Sequence, residues 1–138
     1  MSKKTKKAAE KKAALKKAIV TEEAPAAIGP YSQAVSAGKL LFISGMLGID
    51  PASGELQPDL VSQAEQALKN LTAALRAADM TEANVLKTTI FLTDMSAFAA
   101  VNEVYAQVFT APFPARSCVQ VSTLPKGGLF EIEAVARK

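Results

Sequence analysis

Hydrophobic and polar positions change rhythm several times along this chain. From Tyr31 to Asp50 ("YSQAVSAGKLLFISGMLGID") the apolar residues fall in short runs broken at Ala37-Gly38-Lys39. A glycine there makes a positive φ cheap, so the pattern predicts two strands joined by a turn. Ser44-Gly45 interrupts the second run, and glycine inside a strand marks a bulge or a close backbone approach. "DPASGELQPD" (residues 50–59) is a loop by composition. The period then lengthens. Leu60, Ala64, Ala67, Leu68, Leu71, Leu75 and Ala78 recur at spacings of three and four, predicting a helix that Asp59 caps and that ends near Asp79. Gln63, Gln66, Lys69, Asn70 and Arg76 fall on its other faces. "NVLKTTIFLTD" (residues 84–94) is β-branched and reads as a buried strand. Phe98, Val101, Tyr105 and Val108 or Phe109 form the stripe of a second helix, capped by Asp94 or Ser96 and broken by Pro112 and Pro114. Ala115–Val121 and roughly residues 129–137 read as two last strands.

The resulting order, β-β-α-β-α-β-β, predicts an α+β sandwich with one mixed sheet and both helices on one face. The second sheet face then lacks a cover, which points to self-association.

Composition narrows the chemistry. The chain has no histidine and one cysteine, Cys118. Histidine-ligated zinc, a Ser-His-Asp triad, a Cys-His pair and an internal disulfide are therefore excluded. The formal charge of +3 is unevenly distributed. Residues 1–20 carry eight lysines and one acid, a net +7, while residues 21–138 carry eight basic and twelve acidic residues, a net −4. The basic character belongs to a Lys/Ala-rich extension (1–20), and the domain (21–138) is mildly acidic, which argues against nucleic acid as the domain's ligand. The longest purely apolar run, Leu40–Ile43, is far too short to cross a membrane. The extension lacks an apolar run after its charges, and lacks arginine, so it matches neither a secretory signal nor a typical transit peptide. A cytoplasmic location is the default expectation, with an organellar one left open.

Two strands carry the candidate chemistry. Alternation puts Arg116, Cys118 and Gln120 on one face of "FPARSCVQV" (residues 113–121), and Glu131, Glu133, Val135 and Arg137 on one face of the last strand. If these strands pair, Arg116 comes near Glu131 or Glu133, as a plain ion pair. The alternative is that its planar fork grips the carboxylate of a small ligand. Cys118 reads as a small buried residue, with no neighbouring histidine or lysine to make it a nucleophile. Tyr31, after Gly29-Pro30, is expected to start a strand with its hydroxyl reaching water.

Taken together, "APAAIGPYSQAV", "LLFISG", "FPARSCVQV" and "LPKGGLFEIEAVA", in this order, resemble the Rid (YjgF) family of imine deaminases from residue 21 to the C-terminus. The resemblance implies a chorismate mutase-like fold with a mixed six-stranded sheet and a homotrimer with sites between subunits. It also implies hydrolysis of 2-imino and 2-enamino acids, such as 2-iminopropanoate and 2-iminobutanoate, to 2-keto acids and ammonia, which protects pyridoxal phosphate enzymes from reactive enamines. By the same resemblance Arg116 grips the substrate carboxylate and Glu131 holds the attacking water. Tyr31, Ser44 and Cys118 line the pocket, Asn102 lies near subunit contacts, and no metal or cofactor is needed. The family usually has glutamine where this chain has Met46, which bears on substrate range. Some relatives are described as ribonucleases that inhibit translation, which is one alternative. A binding module for small carboxylates without turnover is another.

Overall fold

A computed structural model describes residues 2–138, the side chains of residues 12–14 excepted. A helix α1 (Lys3–Leu15) precedes strand β1 (Lys17–Ile19), the hairpin β2 (Ala34–Ala37) and β3 (Leu40–Leu47), and helix α2 (Leu60–Ala77). Strand β4 (Val85–Leu92), helix α3 (Phe98–Ala106), and strands β5 (Ala115–Gln120) and β6 (Phe130–Arg137) complete the chain. The six strands form one sheet in the order β1-β2-β3-β6-β4-β5. Only the β4–β5 pair is parallel among them, so the sheet is mixed. The periodicity predicted five of these strands. The sixth, β1, lies inside the basic segment, where it pairs antiparallel with β2 and adds to one sheet edge.

Local chemistry accounts for the boundaries. Gly38 turns the β2–β3 hairpin at φ +59°, as expected of glycine there. The Asp59 carboxylate accepts from the Ser62 N–H at 2.9 Å while the Ser62 hydroxyl accepts from the Asp59 N–H, closing a capping box at α2. Asp94 caps a short 3₁₀ turn (Met95–Ala97) that leads into α3.

The core lies between the sheet and the two helices. α2 packs across β3 and β6, with α3 beside it. Leu71, Leu75, Ile90 and Ile132 are fully enclosed, each contributing about 1.5–3 kcal/mol of burial. β4 is not buried on both sides as expected. Thr88, Ile90 and Leu92 face the core, while Leu86 and Lys87 are exposed. The far sheet face carries Leu40, Phe42 and Val119 in the open, with Val35, Phe91 and Val135 half-buried.

Two polar residues assigned to the outer faces of α2 are instead buried, Gln63 at 2% exposure and Asn70 at 0%. Each satisfies backbone groups of neighbouring loops. Asn70 donates to the Leu47 and Ile49 carbonyls at 3.0 and 2.9 Å. Gln63 donates to the Gln57 carbonyl and accepts from the Leu129 N–H at 2.7 Å. Gly48 lets this part of α2 come so close, because a Cβ at Gly48 would overlap the Gln63 backbone.

Candidate active site

The β3–β6 register slips between Ile43↔Ala134 and Met46↔Ile132, so Ser44 and Gly45 stand opposite Glu133 alone. This is the bulge that Ser44-Gly45 signalled. It returns Met46 to the core and leaves Ser44 and Gly45 on the far side. Gly45 also makes a close approach, since a Cβ there would overlap the Glu131 carboxylate. Glu131 therefore lies against bare backbone.

Around this point is a cleft of about 630 Å³, lined by Tyr31, Ser44, Gly45, Lys126, Glu131 and Glu133 among others. Tyr31 does not start a strand. It stands in the loop before β2 and is half exposed, with its hydroxyl accepting a long 3.4 Å bond from the Ile28 N–H. That leaves the tyrosine proton free to donate into the cleft. The Ser44 hydroxyl donates to the Ser32 carbonyl at 2.6 Å, so toward the cleft it can only accept. Gln33, a buried residue of the "GPYSQAV" stretch, secures the loop of residues 21–25 by donating to the Thr21, Ala24 and Pro25 carbonyls and accepting from the Thr21 N–H. Burial, and secondarily the charge of Glu133, raise the Glu131 carboxyl above its ordinary value.

Arg116 is not in this cleft. β5 pairs with β4, not with β6, so the expected approach of Arg116 to Glu131 or Glu133 within the chain is overturned. Arg116 is opposite Thr88, and Thr88 is opposite Ala134, which places Arg116 on the helix side of the sheet. Glu131 and Glu133 are level with Phe91 and Thr89 on the far side. The neighbours of Arg116 are aromatic. Its guanidinium stands 4.8 Å from the Tyr105 ring centroid and 5.5 Å from that of Phe98. Phe98, Asn102 and Tyr105 share one face of α3 by spacing, and the Tyr105 hydroxyl is fixed to Thr88 at 2.8 Å. Burial raises both the Tyr105 phenol and the Cys118 thiol, and the Arg116 charge offsets part of each rise. Cys118, half-buried on the Arg116 side, is thus kept a neutral thiol, as expected of a packing residue.

The structure gathers Tyr31, Ser44 and Glu131 at one locus and Arg116, Cys118 and Asn102 at another. Helical spacing alone places Phe98 and Tyr105 in a core stripe. Phe98 is 37% exposed, and its contact is the guanidinium. If those rings preset the Arg116 fork, Phe98→Ala should raise KM for a carboxylate substrate about 3–10-fold with little change in kcat. Steady-state kinetics with Phe98→Tyr as the rescuing variant checks this.

Residues 21–138 match the family model described as Endoribonuclease L-PSP. The chain belongs to this family, also called Rid, YjgF or RutC. Among Rid relatives, the goat protein named 2-iminobutanoate/2-iminopropanoate deaminase is 53% identical over 123 residues, 88% of this chain and 90% of that one. The crystal structure of RidA from an Antarctic Psychrobacter superposes with a TM-score of 0.87 at 46% identity, covering 88% of this chain and 99% of that chain. The crystal structure of E. coli TdcF with bound serine gives 0.86 at 45% identity over 88% of this chain and 98% of that chain.

Proposed function

We propose that this Rid chain hydrolyses 2-imino acids and their enamine tautomers to 2-keto acids and ammonia. The observation that carries the reading is the state of Arg116. It is half-buried and held over two aromatic rings on the edge strand β5, and the Glu131 and Glu133 carboxylates lie on the opposite sheet face. A guanidinium so placed offers its fork to a carboxylate brought from outside the chain. The 2-imino acid substrate of the goat relative has such a carboxylate, as does the serine bound to TdcF.

In this reading a site needing both Arg116 and Glu131 is assembled from two copies of the chain, the open sheet face forming the contact within a trimer. Arg116 binds the substrate carboxylate. Glu131, made more basic by burial, accepts a proton from water as the water oxygen bonds to the imine carbon. The C=N π pair moves to nitrogen, which takes up the proton that Glu131 has accepted, giving the neutral carbinolamine and restoring the carboxylate. Ser44 accepts from the imine N–H, and Tyr31 donates to the growing negative charge. Glu131 then relays the carbinolamine hydroxyl proton to the amino nitrogen as the C–N bond breaks, expelling ammonia and leaving the keto acid. The imine is already electrophilic, so positioning supplies most of the rate gain.

The test couples the protein to threonine dehydratase, with semicarbazide to trap free imine, and follows 2-ketobutyrate. Wild type should divert imine to keto acid, and no diversion would reject the assignment. The pH profile adds a second check. Because the ionised form of Glu131 is the competent one and its pKa is raised, activity should fall with acid along a limb above the ordinary glutamate value. Glu131→Gln should abolish the limb together with the activity. Glu133→Gln removes a like charge and should move the limb to lower pH.

A further inference from the structure

Helix α1 and its lysines are outside the residues matched by the family model, and the imine chemistry proposed above makes no use of them. Lys3, Lys7 and Lys11 recur every four residues on one face, with Lys4 and Lys6 flanking them, and all five are exposed. Like charges at that spacing destabilise a free helix. Glu10, four residues from Lys6, is the single acid of the segment. The opposite side carries Thr5 and Ala9, also exposed, and the one bulky apolar residue of the helix, Leu15, is exposed at its C-terminal end, so the helix has no set of bulky residues to seat it in a lipid interface. The root of this helix is fixed, because β1 ties residues 17–19 into the sheet.

We propose that α1 is an arm that binds the phosphate backbone of duplex DNA without reading its sequence. A partner rich in negative charge relieves the lysine repulsion and stabilises the helix as it binds. Lysine is a point charge suited to phosphate, and the segment has no arginine for base-edge forks and no aromatic side chain for stacking on single strands. Its 13 residues span about 20 Å, or about six base pairs. A helix about 10–12 Å across fits the major groove of B-DNA, whereas the corresponding groove of A-form RNA is too narrow. The acidic domain disfavours lying flat on the duplex, so contact is confined to the arm.

The experiment measures binding of the full chain to a fluorescent random-sequence DNA duplex of about 20 base pairs by anisotropy, between 50 and 200 mM KCl. With about five phosphate contacts the dissociation constant should rise about 500-fold across that range. A variant with Lys3, Lys4, Lys6, Lys7 and Lys11 all changed to Gln should lose most of the affinity and the salt slope, yet retain the wild-type melting temperature and imine turnover. Circular dichroism of wild type should show added helix on DNA binding. The proposal is overturned if the variant binds DNA as wild type does or if wild type does not bind. It is equally overturned if double-stranded RNA or phosphatidylserine vesicles compete better than unlabelled DNA.

Discussion

Arg116→Lys is expected to lower kcat/KM for 2-iminobutanoate about 100-fold, with the melting temperature within about two degrees of wild type. A charge-assisted, two-pronged contact is worth about 1.5–3 kcal/mol per hydrogen bond. Lysine keeps the charge but offers one ammonium where the carboxylate needs two parallel N–H groups. It also loses the guanidinium contact over the Tyr105 and Phe98 rings. The fold should tolerate the change, since β5 is an edge strand and Arg116 is not fully enclosed. Kinetics alongside thermal melts check both halves. Near-normal turnover would show that the carboxylate is held elsewhere.

Gly45→Ala should be nearly as damaging to activity, for a different reason. The added methyl overlaps the Glu131 carboxylate, the free end of a flexible side chain, so the protein accommodates it by swinging Glu131 aside. Folding stability should change by less than about 1 kcal/mol, but a displacement of about 1 Å at a reacting group can cost about 100-fold in rate. The expected signature is low kcat with KM little changed, because in the proposed mechanism the carboxylate is held by Arg116, which this substitution leaves in place. A wild-type kcat in Gly45→Ala would remove Glu131 from the chemistry. By contrast, the Cβ of Gly48→Ala meets backbone that cannot rotate away, so its effect should be on stability.

Periodicity made most of the frame legible. The Asp59 cap, the Gly38 turn and the face alternation of β5 and β6 all follow from residue type and spacing, and the structure repeats them. Alternation could not reveal which strands are neighbours. β4 lies between β5 and β6, and its register sets Arg116 level with Thr88 and Ala134, on the face opposite Glu131. Gln63 and Asn70 were misplaced because amides in a helix read as solvent-facing unless their partners are known. Their seven-residue separation, beside Ala67 and Ala74, was the available sign that they share the packed side. β1 escaped notice because three residues after a lysine run are too few to show a period.

The three buried amides, Gln33, Gln63 and Asn70, have a practical consequence for enzymology. They brace the loop of residues 21–25, the exit of β3 and the approach to β6 with groups that carry no charge at any working pH. The chain has no histidine, and the Cys118 thiol is pushed toward the alkaline side. These bracing contacts therefore add no titrating group of their own in the mildly acidic range. An inflection measured there would report Glu131 under the charge of its neighbour Glu133, with no contribution from the amides that brace the cleft.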